Sequence, residues 1–213
     1  MIDPVDAMLT LVLLSVLLSF SASRLLTLIQ VLALQGLAVS VVPLLLGHVT
    51  TAGAIILTLG ALLVRGVVIP GSIYLAVRRV AYRREVSPIV GYHLSMFAGL
   101  LLLVGAIYAG RHIELPLPTA HALLLPTAIS LLGGGMFLLM ARRNAIAMVL
   151  GYIMLENAIY LAGTTFSVRA HHIVEFGILL DVLAGVMIMA IILRSIRDKH
   201  DDLDATLLRS LKD

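Results

Sequence analysis

The sequence predicts an all-α integral membrane protein of about seven transmembrane helices, with the N-terminus outside and the C-terminus in the cytoplasm. Three observations carry that reading. The 213 residues are 61% hydrophobic and only 13% charged, with a mean hydropathy of +1.09; a soluble domain is about half apolar and a quarter charged. The apolar residues fall into seven runs, each long enough for the roughly 20 residues that a crossing needs. The basic residues collect on alternate connections between those runs.

The runs lie near 4–22, 25–47, 52–77, 88–109, 119–141, 144–166 and 173–194. Short breaks rich in charge, glycine or proline separate them, among them "LGHVTTAG", "RRVAYRREVSP", "GRHIELPLP" and "SVRAHH". Backbone crossing a bilayer must satisfy itself, so long apolar runs are helices or barrel strands. The alternation of a barrel strand is missing, which leaves helices. The first run starts with Asp3 and Asp6 and has no basic leader, so it reads as a first span rather than a signal peptide. The chain forms a single membrane domain. Its first four helices occupy 1–110 and its last three 119–196, ahead of a cytoplasmic tail, 197–213. In that tail Leu203, Leu207, Leu208 and Leu211 share roughly one helical stripe, which suits the membrane surface or a partner.

Orientation follows from the arginines and lysines. Arg24, Arg78, Arg79, Arg83, Arg84, Arg142, Arg143, Arg194, Arg197, Lys199, Arg209 and Lys212 fall on one side. Only Arg111 and Arg169 fall on the other. Basic loops stay in the cytoplasm. An outside N-terminus and an inside C-terminus need an odd number of spans, in agreement with seven. A multi-pass protein of the inner, cytoplasmic membrane is expected, with the lipid bilayer as one partner and no nucleic acid among the others. Tryptophan is absent and aromatics make up only 5% of the chain, so the aromatic belt is thin. That suits a surface covered partly by other subunits.

Several chemistries are excluded. The chain has no cysteine, and therefore no disulfide, thiol nucleophile or cysteine-ligated iron–sulfur cluster. It has no P-loop and no GxGxxG. His172 and Glu175 have an i, i+3 spacing, but with no further ligands they read as a helix start rather than a metal site. No catalytic, cofactor or metal site is expected in this chain.

The informative residues are the polar ones inside the spans. Arg65, Glu156 and Asp181 each stand 13 residues from a basic residue on the cytoplasmic side: Arg78, Arg143 and Arg194 respectively. At 1.5 Å per residue all three lie about 20 Å above that ring, near mid-bilayer. A charge there costs at least about 2.5–3.5 kcal/mol, so each one needs a partner or a role. One reading is an ion-pair cluster that holds helices together. The other is a proton or ion relay through Glu156, Asp181, Glu175 and Arg65, since burial and a nearby cation act on a carboxylate in opposite directions.

Accessory polar groups extend the path. Tyr152, Glu156 and Tyr160 share one helix face at i, i+4, i+8. Asn157, His171, His172 and Gln35 complete the set, although the glutamines and tyrosines also suit ordinary interhelical hydrogen bonding. His93 and His121 lie near helix ends and are weak candidates. "LLGGGMFL", Leu131–Leu138, permits close helix approach, and Pro43, Pro70 and Pro126 can each kink a span.

The segments "ARRNAIAMVLGYIMLENAIYLAG" and "IVEFGILLDVLAGVMIMAIILRSIR", followed by "LDATLLRSLKD", resemble hydrogenase-4 component E. That family belongs to group 4 [NiFe]-hydrogenase complexes of the formate hydrogenlyase type. Its last helices are similar to the K-type subunit of respiratory complex I and to the C subunit of Mrp antiporters. The resemblance implies a non-catalytic subunit between antiporter-like and quinone-site-like membrane subunits, beside a peripheral redox module. It implies iron–sulfur clusters, with or without a nickel–iron centre, in other subunits only. The K-type subunit carries two intramembrane glutamates. The second matches Asp181, four residues before Gly185. The first falls on Ile153, two residues after Gly151, and Glu156 stands three residues further on. Arg65, five residues before Pro70, matches a basic position of component E, and Glu156–Asn157 matches its Glu–Asn pair. The alternative readings are a subunit of an Mrp-type cation/proton antiporter or other complex I-like assembly, or a purely structural membrane subunit.

Overall fold

A computed structural model of the chain describes residues 3–47, 52–79, 91–113, 121–142, 145–166, 183 and 185–190. Its described elements are helical, with no β-strand among them, and six stretches are long and apolar enough to cross a membrane. They correspond to the first six expected spans. The seventh, 173–194, lies outside the described residues apart from 183 and the helical 185–190.

Helix α1, Pro4–Ser21, starts where its sequence dictates. Asp3 is the N-cap and its carboxylate accepts the Val5 N–H at 3.0 Å, while Pro4 occupies a first-turn position that needs no donor. Helix α2, Leu25–Leu45, follows after a three-residue break and ends near Gly47, whose φ of 70° is readily adopted only by glycine. The third span has two parts, α3 (Ala52–Leu63) and α4 (Ile69–Arg79), joined by a π-helical turn at Val64–Val68. Pro70 explains that turn. It lacks an N–H and its ring crowds the carbonyl four residues back, at Gly66, so the ladder widens just ahead of it. The Ile69 N–H accordingly donates to the Val64 carbonyl, five residues away.

Helices α5 (Tyr92–His112), α6 (Leu124–Ala141) and α7 (Ala145–Phe166) complete the described bundle. Several boundaries differ from the sequence reading, two of them with a clear physical reason. Helix α5 runs on to include Arg111 and His112 in its last turn, where the helix dipole favours cations. Helix α6 begins at Leu124 rather than 119, so Pro126 sits in the first turn and kinks nothing. His121 then precedes the helix instead of lying inside it. It meets the start of α1, with Nδ1 3.3 Å from Asp6 Oδ1 and 3.7 Å from Asp3 Oδ2.

The core is formed by α1, α2, α6 and α7 with Ile69, Ile73 and Val77 of α4, and α6–α7 is the most extensive pairing. That pairing depends on glycine. A Cβ at Gly135 would lie 2.7 Å from the Gly151 carbonyl oxygen and 2.8 Å from the Leu155 nitrogen. The two backbones therefore touch, as the triple glycine suggested. By contrast α5 exposes Leu94, Phe97, Leu100, Leu101 and Val104, and α3 exposes Ile56 and Leu59. Those faces meet lipid or other protein.

Arg142 behaves differently from an exposed, orientation-setting arginine. It is only 2% exposed, and its Nη2 donates to the Phe20 carbonyl, at the last turn of α1, at 3.1 Å. The Tyr92 ring lies 5.9 Å from its Cζ. Burial pushes the guanidinium below its ordinary pKa, and Tyr92 pulls it the other way. The ends of α1 and α6 and the start of α5 thus share one face of the bundle.

Candidate functional site

The π turn has a chemical consequence. It places Arg65 at the centre of the third span with its side chain turned into the bundle, only 3% exposed. Helix α2 yields space for it at Gly36: a Cβ there would stand 2.9 Å from the Arg65 carbonyl oxygen and 3.4 Å from its Cβ. The guanidinium then reaches α7. Arg65 Nη2 donates to Glu156 Oε1 at 2.6 Å, and Nη1 donates to Asn157 Oδ1 at 3.4 Å. The Tyr160 ring lies beneath the guanidinium, 4.2 Å from Cζ to the ring centroid. The Glu156 side chain is 2% exposed.

The arrangement is a neutral pair of opposite charges closed off from solvent and stacked on an aromatic face. Each element answers a cost. A lone charge at this depth is expensive; a pair with a short charge-assisted bond lowers that cost, and the ring adds a favourable cation–π term. Arginine holds its charge under all ordinary conditions. Of the two side-chain types in the pair, only a carboxyl exchanges a proton in the ordinary pH range.

The structure brings together four of the residues singled out from sequence: Arg65, Glu156, Asn157 and Tyr160. Tyr152 is half-buried one turn before Glu156 on the same helix. Ile153, at the position of the first K-type glutamate, is buried in the core. Gln35 is fully buried but points to α1 rather than to the pair, donating from Nε2 to Ser15 Oγ at 3.0 Å. Gln30 is exposed. Asp181, Glu175, His171 and His172 lie outside the described residues, and so does any layer of three charges that includes Asp181.

Three participants were not foreseen. Gly36 and the π turn shape the berth of Arg65, and Ser15 receives Gln35. The pattern Gly66–x3–Pro70 beside Arg65 was the available signal for the turn. Ser15 carried none, because a serine in an apolar helix commonly bonds its own backbone, as Ser15 also does to Val12.

The fold and its buried pair define a multi-pass helical membrane protein that holds an arginine–carboxylate bridge inside its bundle. Its relatives place it more narrowly. The chain is 31% identical to the uncharacterized protein Rv0085 of Mycobacterium tuberculosis over 189 residues, which cover 87% of this chain and 85% of that one. It belongs to the same family as that protein. It is also 29% identical over 119 residues to hydrogenase-4 component E of Escherichia coli K12, with equal likeness to that of Shigella flexneri. This second match covers 56% of the chain, which spans about half the length, 55%, of those component E proteins. No protein-family model matches the chain, and no solved structure matches it.

Proposed function

We propose that this chain is a membrane-arm subunit of a complex I-related assembly of the group 4 hydrogenase or formate hydrogenlyase type. In this reading it takes part in proton translocation and links antiporter-like subunits to a redox module. The chain lies in the cytoplasmic membrane with its N-terminus outside and its tail inside. Iron–sulfur and any nickel–iron centres belong to other subunits. The observation that carries the reading is the Arg65–Glu156 bridge at 2.6 Å, buried between two spans. The likeness to hydrogenase-4 component E supports the kind of assembly. Glu156 accepts and releases protons, Arg65 sets the balance between its two states, and Asp181 and Glu175 continue the path.

Substitution of Glu156 by Gln tests this. The amide keeps size and hydrogen bonding but cannot hold a charge. Assembly of the complex is expected to persist, while proton movement in vesicles bearing the complex falls roughly tenfold or more. Unchanged proton movement in the intact assembly overturns the proposal. A second reading, a structural clamp, rests on the same closed geometry. It expects the neutral variants of Glu156 and Asp181 to behave normally, whereas disruption of Arg65 damages assembly. Copurifying proteins separate a hydrogenase-type assembly from an Mrp-type antiporter.

A further inference from the structure

Asp3, Asp6 and His121 each offer one ligand atom, and the three atoms lie within 4.8 Å of one another. They meet at the end of the bundle opposite Arg142, where α1 begins and the chain is about to enter α6. Their spacing is unlike that of a hydrogen bond. His121 Nδ1 stands 3.3 Å from Asp6 Oδ1 and 3.7 Å from Asp3 Oδ2. A charge-assisted N–H···O bond closes to about 2.7–2.9 Å. Two ligands held roughly 2.0–2.2 Å from zinc at the tetrahedral angle stand about 3.3–3.6 Å apart. The two nitrogen–oxygen distances are therefore close to the edges of a coordination tetrahedron.

Local bonding turns the donor atoms toward one another. Asp3 spends Oδ1 on the Val5 N–H at 3.0 Å, which leaves Oδ2 toward His121. Carboxylates that bind metals are commonly braced by such a second hydrogen bond. Asp6 caps no backbone N–H; among the described residues its carboxylate meets His121 alone. The His121 side chain is only 12% exposed, and the same ring nitrogen faces both acids. That nitrogen carries at most one proton, so it serves one carboxylate and leaves the other beside a like charge. A divalent cation bonds all three atoms at once. One imidazole nitrogen and two carboxylate oxygens suit an ion of the zinc type, with a fourth position open to water.

We infer that Asp3, Asp6 and His121 bind one divalent ion of the zinc type, which staples the start of α1 to the segment entering α6. His121 binds through Nδ1 without its proton. Asp6 and His121 are 115 positions apart, so the site forms only in the folded chain. It shares no residue with the Arg65–Glu156 pair, and the proton-carrying reading stands or falls without it.

The test uses the full chain in detergent, stripped with a chelator and titrated with zinc chloride. Zinc is expected to raise Tm by about 5 °C or more at a hundredfold excess over its Kd. His121→Asn and Asp6→Asn are each expected to weaken that binding at least about tenfold and to abolish the rise. Zinc taken up by the other histidines of the chain is common to these proteins and cancels in the comparison. His112→Asn is the control and leaves binding unchanged, since His112 Nδ1 lies 2.9 Å from the Tyr108 carbonyl and its ring rests on that of Tyr108. If His121→Asn does not fold, Asp6→Asn, at a side chain 41% exposed, carries the comparison. Magnesium chloride, which suits a purely carboxylate cluster, is expected to give no rise. Equal zinc affinity in the wild type and the two ligand variants, no rise with zinc, or a rise as large with magnesium overturns the site.

Discussion

Arg65→Met is expected to lower the stability of the chain by about 3–5 kcal/mol, the typical cost of leaving a buried charge without its partner. Glu156 is 2% exposed and meets Arg65 Nη2 at 2.6 Å, so methionine leaves that carboxylate in an apolar setting with its principal donor gone. The double variant Arg65→Met/Glu156→Leu removes both charges and is expected to recover most of the loss, because a buried pair and a well-packed apolar pair are often close in stability. Thermal unfolding of the four proteins in one detergent measures the cycle. A double variant as unstable as the single one would show that the bridge itself, not the orphaned charge, holds the helices. In the functional reading the double variant is stable and carries no protons, which separates the worth of the pair from its use.

Gly135→Val is expected to cost about 3 kcal/mol, at the upper end of overpacking penalties. A Cβ at that position stands 2.7 Å from the Gly151 carbonyl oxygen and 2.8 Å from the Leu155 nitrogen. Those are backbone atoms of the facing helix, which cannot turn aside as a side chain can. Gly105→Val in α5 is the control, since nothing lies within 4 Å of its Cβ position. Similar unfolding temperatures for the two variants would refute the contact between α6 and α7. The consequence reaches the candidate site, because α7 carries Glu156, Asn157 and Tyr160. Helix separation at Gly135 displaces the carboxylate from Arg65 without altering either residue.

The sequence made the first six spans legible because hydrophobic length is a property of the chain alone. It was less informative at the ends of α5 and α6, where dipole-favoured Arg111 and first-turn Pro126 resemble loop residues. The pairing of Arg65 with Glu156 could be anticipated from depth, since equal distances from basic residues put both near one level. Their contact could not, because it depends on a π turn that rotates Arg65 and on Gly36 opposite it. Arg142 shows the limit of the charge pattern. Its position at a helix end was readable, but its burial against the Phe20 carbonyl comes from a helix more than a hundred residues earlier in the chain.

The separation of 91 positions from Arg65 to Glu156 sets a problem of timing during synthesis. At roughly 5–20 residues per second, the arginine emerges about 5–20 s before its carboxylate exists. In that interval its helix must enter the bilayer with a bare positive charge, remain at the surface, or be held by the insertion machinery or another subunit. The bridge that settles the finished bundle thus makes its assembly order-dependent, with α7 completing what the third span cannot complete alone.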